Sequence, residues 1–377
     1  MEIKRYLQDE ILKNLDKQKV SLLLGARRVG KTILLEKIHQ QNISRSVWLN
    51  GEDRDTQLLL DSKSVASYKR LIGKSTLLII DEAQNIPDIS SKAKLMIDNI
   101  KPLHIILTGS SAFHLHQMSQ PLTGRVLTNF LFPMAQMELI GSENLLVTKQ
   151  ILNTRLVYGS YPELFHLETE KEKQEYLLDI VEYYLLRDIL AFENIKNPQK
   201  IKDLLILIAH QAGHEVSLEE LGRNLHLSKN TVERYLDLLS KVFVLYKHSG
   251  YSNNLRKEIT KSSRWYFIDN GIRNAVLNDF SPVELRKDIG MLWENYFISE
   301  RKKYNSYTGN RVNSYFWRTY DQQEIDLIEE KNGKIVAFEC KWTKNKTKTP
   351  IAFSKAYSKA EFHVVNRENY LEWITQS

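Results

Sequence analysis

The stretch Val20-Ser21-Leu22-Leu23-Leu24-Gly25-Ala26-Arg27-Arg28-Val29-Gly30-Lys31-Thr32 decides the reading of this chain. An apolar run of strand length leads into Gly25 to Thr32, which fits G-x-x-x-x-G-K-[ST], and the residues from Ile33 to Gln41 carry helical spacing. In that order of strand, glycine loop and helix, the N–H groups of Gly25, Ala26, Arg27, Arg28, Val29 and Gly30 can turn inward around phosphates. The positive end of the helix adds to the attraction. Lys31 is expected to reach the β- and γ-phosphates of ATP, and Thr32 to ligate magnesium.

Working outward, Leu77-Leu78-Ile79-Ile80-Asp81-Glu82 ends an apolar run in two carboxylates. An acid at the end of a buried strand needs a cation to face it. Asp81 is expected in the magnesium shell, and Glu82 as the general base that polarises the attacking water. In Ile105-Ile106-Leu107-Thr108-Gly109-Ser110-Ser111, Thr108 or Ser110 is placed to sense the γ-phosphate. Equally, Ser110 or Ser111 could cap a following helix. Arg125 is the first candidate for the arginine that stabilises the transition state, with Arg187 and Arg28 as alternatives, acting in cis or from a neighbouring copy.

Together with Val47 to Leu49, these runs predict an α/β fold for residues 1–140, a doubly wound parallel sheet of P-loop type. Residues 141–200 read as a helical lid. The chain has 377 residues, 42% hydrophobic and 26% charged, enough for more than one core and outside the disordered class. A net charge of +7 is compatible with a polyanionic partner. The single cysteine, Cys340, excludes an internal disulfide and a cysteine zinc cluster. No apolar run approaches the ~18 residues that span a bilayer, and no apolar signal region follows Met1. A cytoplasmic protein without membrane contact is therefore expected.

Residues 201–284 suggest a winged helix-turn-helix. Ser217 to Leu225 reads as a short capped helix, His226-Leu227-Ser228 as the turn, and Lys229 to Leu236 as the start of a second helix. Lys229, Asn230, Thr231 and Arg234 would form an exposed DNA-reading face. Lys241, Lys247, Arg256, Lys257, Lys261 and Arg264, interleaved with Tyr246, Tyr251 and Trp265, would form a basic wing on the DNA phosphates. Packing or protein contact is the competing use of the same elements.

In residues 285–377, Glu294 on a helix, Asp326 on a strand, and Glu339 and Lys341 two apart on another strand predict a converging carboxylate set. Such a set could bind magnesium, with Lys341 helping to deprotonate a water for DNA cleavage. A charged sheet edge, or a nuclease-like fold without activity, is the alternative.

Over nearly its full length the sequence resembles the prokaryotic AAA-type ATPases that carry a C-terminal domain of unknown function related to restriction-endonuclease-like folds. The matching segments are Gly25 to Thr32, Leu77 to Glu82, Leu107 to Ser111, Gly124 to Pro133, Gly159-Ser160-Tyr161-Pro162, Tyr184 to Asp188, Asn270 to Asn274 and the Asp326…Glu339-x-Lys341 set. The resemblance implies that Tyr161 and Pro162 pack on the adenine ring. It also brings a departure: the Pro-Asp of the nuclease motif stands here as Ile325-Asp326. The expected function is magnesium-dependent ATP hydrolysis coupled to DNA binding, either with DNA cleavage or as a nucleotide-controlled switch. Assembly into a homo-oligomer is left open.

Overall fold

A computed structural model describes residues 3–110, 122–185, 197–252, 263–343 and 347–375. The chain divides into two compact units. The first runs to Phe132 and takes in Lys241–Phe243; the second holds Pro133–Ser240 and Val244–Ser377.

The first unit is built on β1 (Val20–Leu24), β2 (Ser46–Asn50), β3 (Leu77–Asp81), β4 (His104–Gly109) and β5 (Val126–Phe130). They form a parallel sheet in the order β2-β3-β4-β1-β5. The buried strands β1, β3 and β4 correspond to the uninterrupted apolar runs of the sequence, as strands covered on both faces should. The α-helices are α1 (Tyr6–Leu12), α2 (Lys31–Gln41), α3 (Arg54–Asp61), α4 (Val65–Ile72) and α5 (Ile89–Asn99). Leu22, Leu24, Leu78, Ile80, Ile105 and Leu107 of the sheet pack with Met96 and Ile97 of α5 in one core. β5 escaped the sequence reading: its Thr128 is exposed and its other residues only half-buried, which weakens the apolar signal.

The second unit begins with α6 (Gln136–Leu139), α7 (Leu145–Gln150), α8 (Leu152–Tyr158), α9 (Glu170–Asp179) and a π-helical turn at Ile180–Leu185. Next come α10 (Pro198–His210), β6 (Glu215–Val216), α11 (Leu218–Leu225), α12 (Lys229–Lys241), β7 (Leu245–Gly250), β8 (Ser263–Phe267) and α13 (Asn270–Leu277). The long α14 (Ile289–Tyr307) leads into β9 (Asn313–Arg318), β10 (Glu324–Lys331), β11 (Lys334–Cys340), α15 (Ile351–Ala356), β12 (Glu361–Val365) and α16 (Leu371–Ile374). The strands form one mixed sheet in the order β12-β11-β10-β9-β7-β8-β6. The parallel pairing of β7 with β9, Ser249 with Tyr315 and Gly250 with Phe316, carries the sheet across residues 284 and 285. Apart from Lys241–Phe243, residues 141–200, 201–284 and 285–377, read from sequence as separate modules, lie in a single compact unit.

Candidate functional site

The glycine loop of the first unit is shaped by backbone demands that only its own residues meet. A Cβ on Gly25 would lie 2.1 Å from the Leu131 carbonyl oxygen, so the loop leaves β1 against the exit of β5 only with glycine there. Gly30 precedes α2 at φ 91°, and Arg28 takes φ 64°. A left-handed arginine costs on the order of 1–2 kcal/mol, and such strain gathers where a loop must present its N–H groups in one direction. Arg5, read from sequence only as part of the N-terminus, is buried. It donates through Nη1 to the Val29 carbonyl at 2.6 Å and through Nη2 to the Phe132 carbonyl at 2.7 Å, tying the loop to the end of the sheet.

Lys31 is buried and donates through Nζ to the Gly25 and Ala26 carbonyls, each at 2.9 Å. Thr32 Oγ1 donates to Asp81 Oδ2 at 2.7 Å, which brings the loop and the end of β3 together. Thr108 Oγ1 donates to Asp81 Oδ1 at 2.5 Å and accepts from the Glu82 N–H at 2.8 Å. Glu82 stands at φ 48°, and Gln84 Nε2 donates to its carboxylate. Gln84, absent from the sequence reading, thus orients the expected base; the signal available was its place two residues beyond the acidic pair. A hydroxyl and a carboxylate side by side make an all-oxygen donor set beside a helix N-terminus, which fits Mg2+ carried in with phosphates.

Thr108 therefore buttresses Asp81 and Glu82. Ser110 is buried, while Ser111 and Arg187 lie outside the described residues. Arg125 is corrected as an arginine acting in cis. Its carbonyl accepts from the N–H of Val20, the first residue of β1, so Arg125 sits at the opposite end of that strand from the loop. At a rise of roughly 3.3 Å per residue, the five residues of β1 put about 16 Å between them. Its side chain instead pairs with Asp98 at 2.6 Å on the surface.

In the second unit, Tyr161 is buried, and the preceding Ser160 N–H donates to Asp269 Oδ2 at 2.8 Å. Asp269 also caps α13 through the Gly271 N–H at 2.9 Å. Asn274 Nδ2 donates to the Val157 carbonyl at 2.7 Å, and a Cβ on Gly271 would lie 2.0 Å from the Tyr158 carbonyl oxygen. The stretches that carry two segments of the resemblance, residues 157–160 and 269–274, therefore grip each other. The ring expected on adenine is packed inside this unit.

Lys229, Asn230 and Arg234 are exposed and Thr231 half-buried on α12; Lys229 reaches Glu219 of α11 at 2.6 Å. The expected basic wing is corrected in part. Lys247 is exposed, but Tyr246 and Trp265 are buried, and Tyr251 packs against Tyr315 and Tyr357. Arg256, Lys257 and Lys261 lie outside the described residues. Arg264 is buried and turned away from any surface. Its Nη2 meets Glu324 at 2.7 Å, its Nη1 stands 3.7 Å from Asp326 and 3.8 Å from Glu294, and its guanidinium lies 4.6 Å over the Phe316 ring.

Two members of the expected carboxylate set, Glu294 and Asp326, do gather around that guanidinium. Tyr266 Oη donates to Glu294 Oε1 at 2.7 Å, and the Cys340 N–H to Asp326 Oδ2 at 2.8 Å. Lys341 Nζ pairs with Glu339 Oε1 at 2.7 Å. Burial, then the neighbouring Asp326 charge, holds Glu294 well above the usual carboxylate range. The same two causes push Glu339 up to about 7. Burial also raises Asp326. Glu339 Oε2 is buried without a hydrogen-bond partner, an opening for a cation. Yet among the described residues no group of three or more His, Cys, Asp or Glu side chains is arranged to hold a metal ion. The set Glu294, Asp326 and Glu339 is therefore corrected as a metal site. Arg264 supplies the positive charge to Glu294 and Asp326, and Lys341 supplies it to Glu339.

A family model described as AAA domain matches residues 17–140, the span that holds the loop, Asp81 and Glu82. The chain carries an AAA-type P-loop ATPase domain. Two further models, Domain of unknown function (DUF8612) and Domain of unknown function (DUF4143), match residues 149–282 and 289–375 downstream of the AAA domain. An uncharacterized protein of Mycobacterium tuberculosis is 27% identical over 332 residues, covering 86% of this chain and 70% of that protein. An uncharacterized protein of Haemophilus influenzae is 24% identical and covers 98% of both. Among solved structures, a RuvB variant of Thermotoga maritima aligns with a TM-score of 0.35 and 16% identity, over 65% of this chain and 89% of that one. No described helix is long and apolar enough to cross a membrane.

Proposed function

We propose that the AAA domain hydrolyses ATP with magnesium and that the nucleotide cycle controls DNA binding by the second unit, whose carboxylate cluster recognises or stabilises rather than cuts. The observation that carries the reading is the contact of Thr32 with Asp81, made where Lys31 and the N-terminus of α2 meet the end of β3. Bound there by Thr32 and Asp81, Mg2+ would neutralise charge on the phosphate oxygens. Lys31 would exchange its loop carbonyls for β- and γ-phosphate oxygens. Glu82, held by Gln84, would orient a water and accept its proton. With Arg125 at the far end of β1, a transition-state arginine comes from Arg28, from Arg187, or from a second copy in a homo-oligomer.

DNA binding is supported by the arrangement of α10, β6, α11 and α12 with the β7–β8 pair, which fits a winged helix-turn-helix presenting Lys229, Asn230 and Arg234. Fluorescence anisotropy with a labelled duplex tests it. Binding should change between ATP and ADP and weaken in a Lys229→Ala, Arg234→Ala double variant. Equal binding in all these conditions would remove DNA from the reading. Plasmid nicking by the full chain in Mg2+ or Mn2+ that disappears in Asp326→Asn would overturn the reading of the carboxylate cluster as one that does not cut.

A further inference from the structure

β7 and β9 share only two register positions, so the sheet is poorly closed on the side of β7 that precedes Ser249. A cleft of about 310 Å³ opens there, at the lower end of the range for small-molecule sites. Lys247 and His248 of β7, Arg301 and Lys302 of α14, Ser314 of β9 and Glu329 of β10 help to line it.

The charges in the cleft do not balance internally. Arg301 grips Glu329 through Nε at 3.0 Å and Nη2 at 2.8 Å, so that pair is self-contained. Lys247 and Lys302 are both exposed, and neither forms an ion pair with a described residue. The ammonium of Lys302 lies 5.0 Å over the Tyr246 ring. Although the residue is exposed, the protein crowding around its ammonium pushes its pKa down, with no carboxylate opposing the shift. His248 is buried beside them, its ring set edge-on to Tyr266 at 5.1 Å, and its Nδ1 has no hydrogen-bond partner. A buried polar atom without a partner costs about 1–3 kcal/mol, and two uncompensated ammoniums in a recess favour an anion.

We propose that this cleft binds the phosphate group of a small ligand, with Lys247 and Lys302 supplying charge and His248 the buried hydrogen-bonding group. Lysine suits this task as a mobile point charge on phosphate. The recess is sized for inorganic phosphate or a mononucleotide, two carriers of the same chemistry, and not for a duplex. A ligand there would touch both β7 and the α14–β9 segment, the two parts that the short β7–β9 pairing joins.

The test uses the full chain with Lys31→Ala, which silences the glycine loop and keeps this question separate from ATP hydrolysis. Isothermal titration with inorganic phosphate, and separately with AMP, should show binding. Adding Lys247→Gln and Lys302→Gln should weaken it about tenfold or more, while Lys302→Arg should retain it. Phosphate alone binding identifies a free-anion site, and much tighter AMP binding a nucleotide site. Absence of binding by either probe at about 1 mM would overturn the proposal. So would equal binding by the double glutamine variant, whose two exposed positions leave the fold intact, as a melt monitored by circular dichroism would verify.

Discussion

The molecule places acidic residues on buried strands in two regions, and surrounds them differently. At the end of β3, Asp81 is met by hydroxyls, those of Thr32 and Thr108, which leave the positive charge to be brought in by a ligand. On β10 and β11, Asp326 and Glu339 are met by a guanidinium and an ammonium that belong to the chain. Neutral donors keep a carboxylate site open to a cation; a built-in cation closes it. What distinguishes the two is the company of the acids, which sequence spacing does not reveal.

Breaking the first region should have the largest effect. Glu82→Gln should keep nucleotide binding and lower kcat by about 10²–10⁴-fold, read in a steady-state phosphate-release assay. Undiminished turnover would remove Glu82 as the base. In the second region, Arg264→Leu leaves Glu294, Asp326 and Glu324 without their shared partner. It should destabilise that unit by about 3–5 kcal/mol in urea unfolding, the cost of removing one member of a buried ion cluster. A loss within experimental error would show that the guanidinium is not what holds the cluster.

A smaller effect sharpens the comparison through pH. His104, buried at the start of β4 with Nε2 3.0 Å from Ser21 Oγ, has its pKa pushed down to about 4 by burial. Because the folded value lies below the unfolded one of about 6.5, this neutral imidazole favours folding fully above pH 6.5. That contribution is lost as pH falls toward 4, up to about 3 kcal/mol in all. His104→Gln should flatten the acid side of the stability profile of the first unit, measured by thermal melts from pH 7 to about 4. The smallest effect is expected at Arg125. Arg125→Ala breaks one surface pair, worth about 0–1 kcal/mol, and should leave ATP turnover unchanged.

Much of the first region was legible because its signals are local. Strand, glycine loop and helix are contiguous from Val20 to Gln41, and Asp81 with Glu82 closes an apolar run. The supports were hidden because they act over long separations. Arg5 reaches Val29 and Phe132, and Thr108 reaches Asp81, across stretches no motif spans. In the second region the strands of Asp326 and Glu339 were readable from alternation and turns. Arg264 was not, because its charge pattern suits a surface wing and only the joining of β7 to β9 draws it inside. The aromatics Tyr246 and Trp265 misled for the same reason: interleaving with lysines suggests a nucleic-acid face, yet burial makes them core.

The difference between the regions is tested most directly by titrating the full chain with Mn2+, as a reporter for Mg2+, and counting bound ions by electron paramagnetic resonance with and without ATP. Tight Mn2+ binding is expected only when ATP is present, and should vanish in Lys31→Ala. An ion bound equally well without nucleotide and lost in Asp326→Asn would contradict the account. So would the failure of ATP to bring Mn2+ to the chain at all.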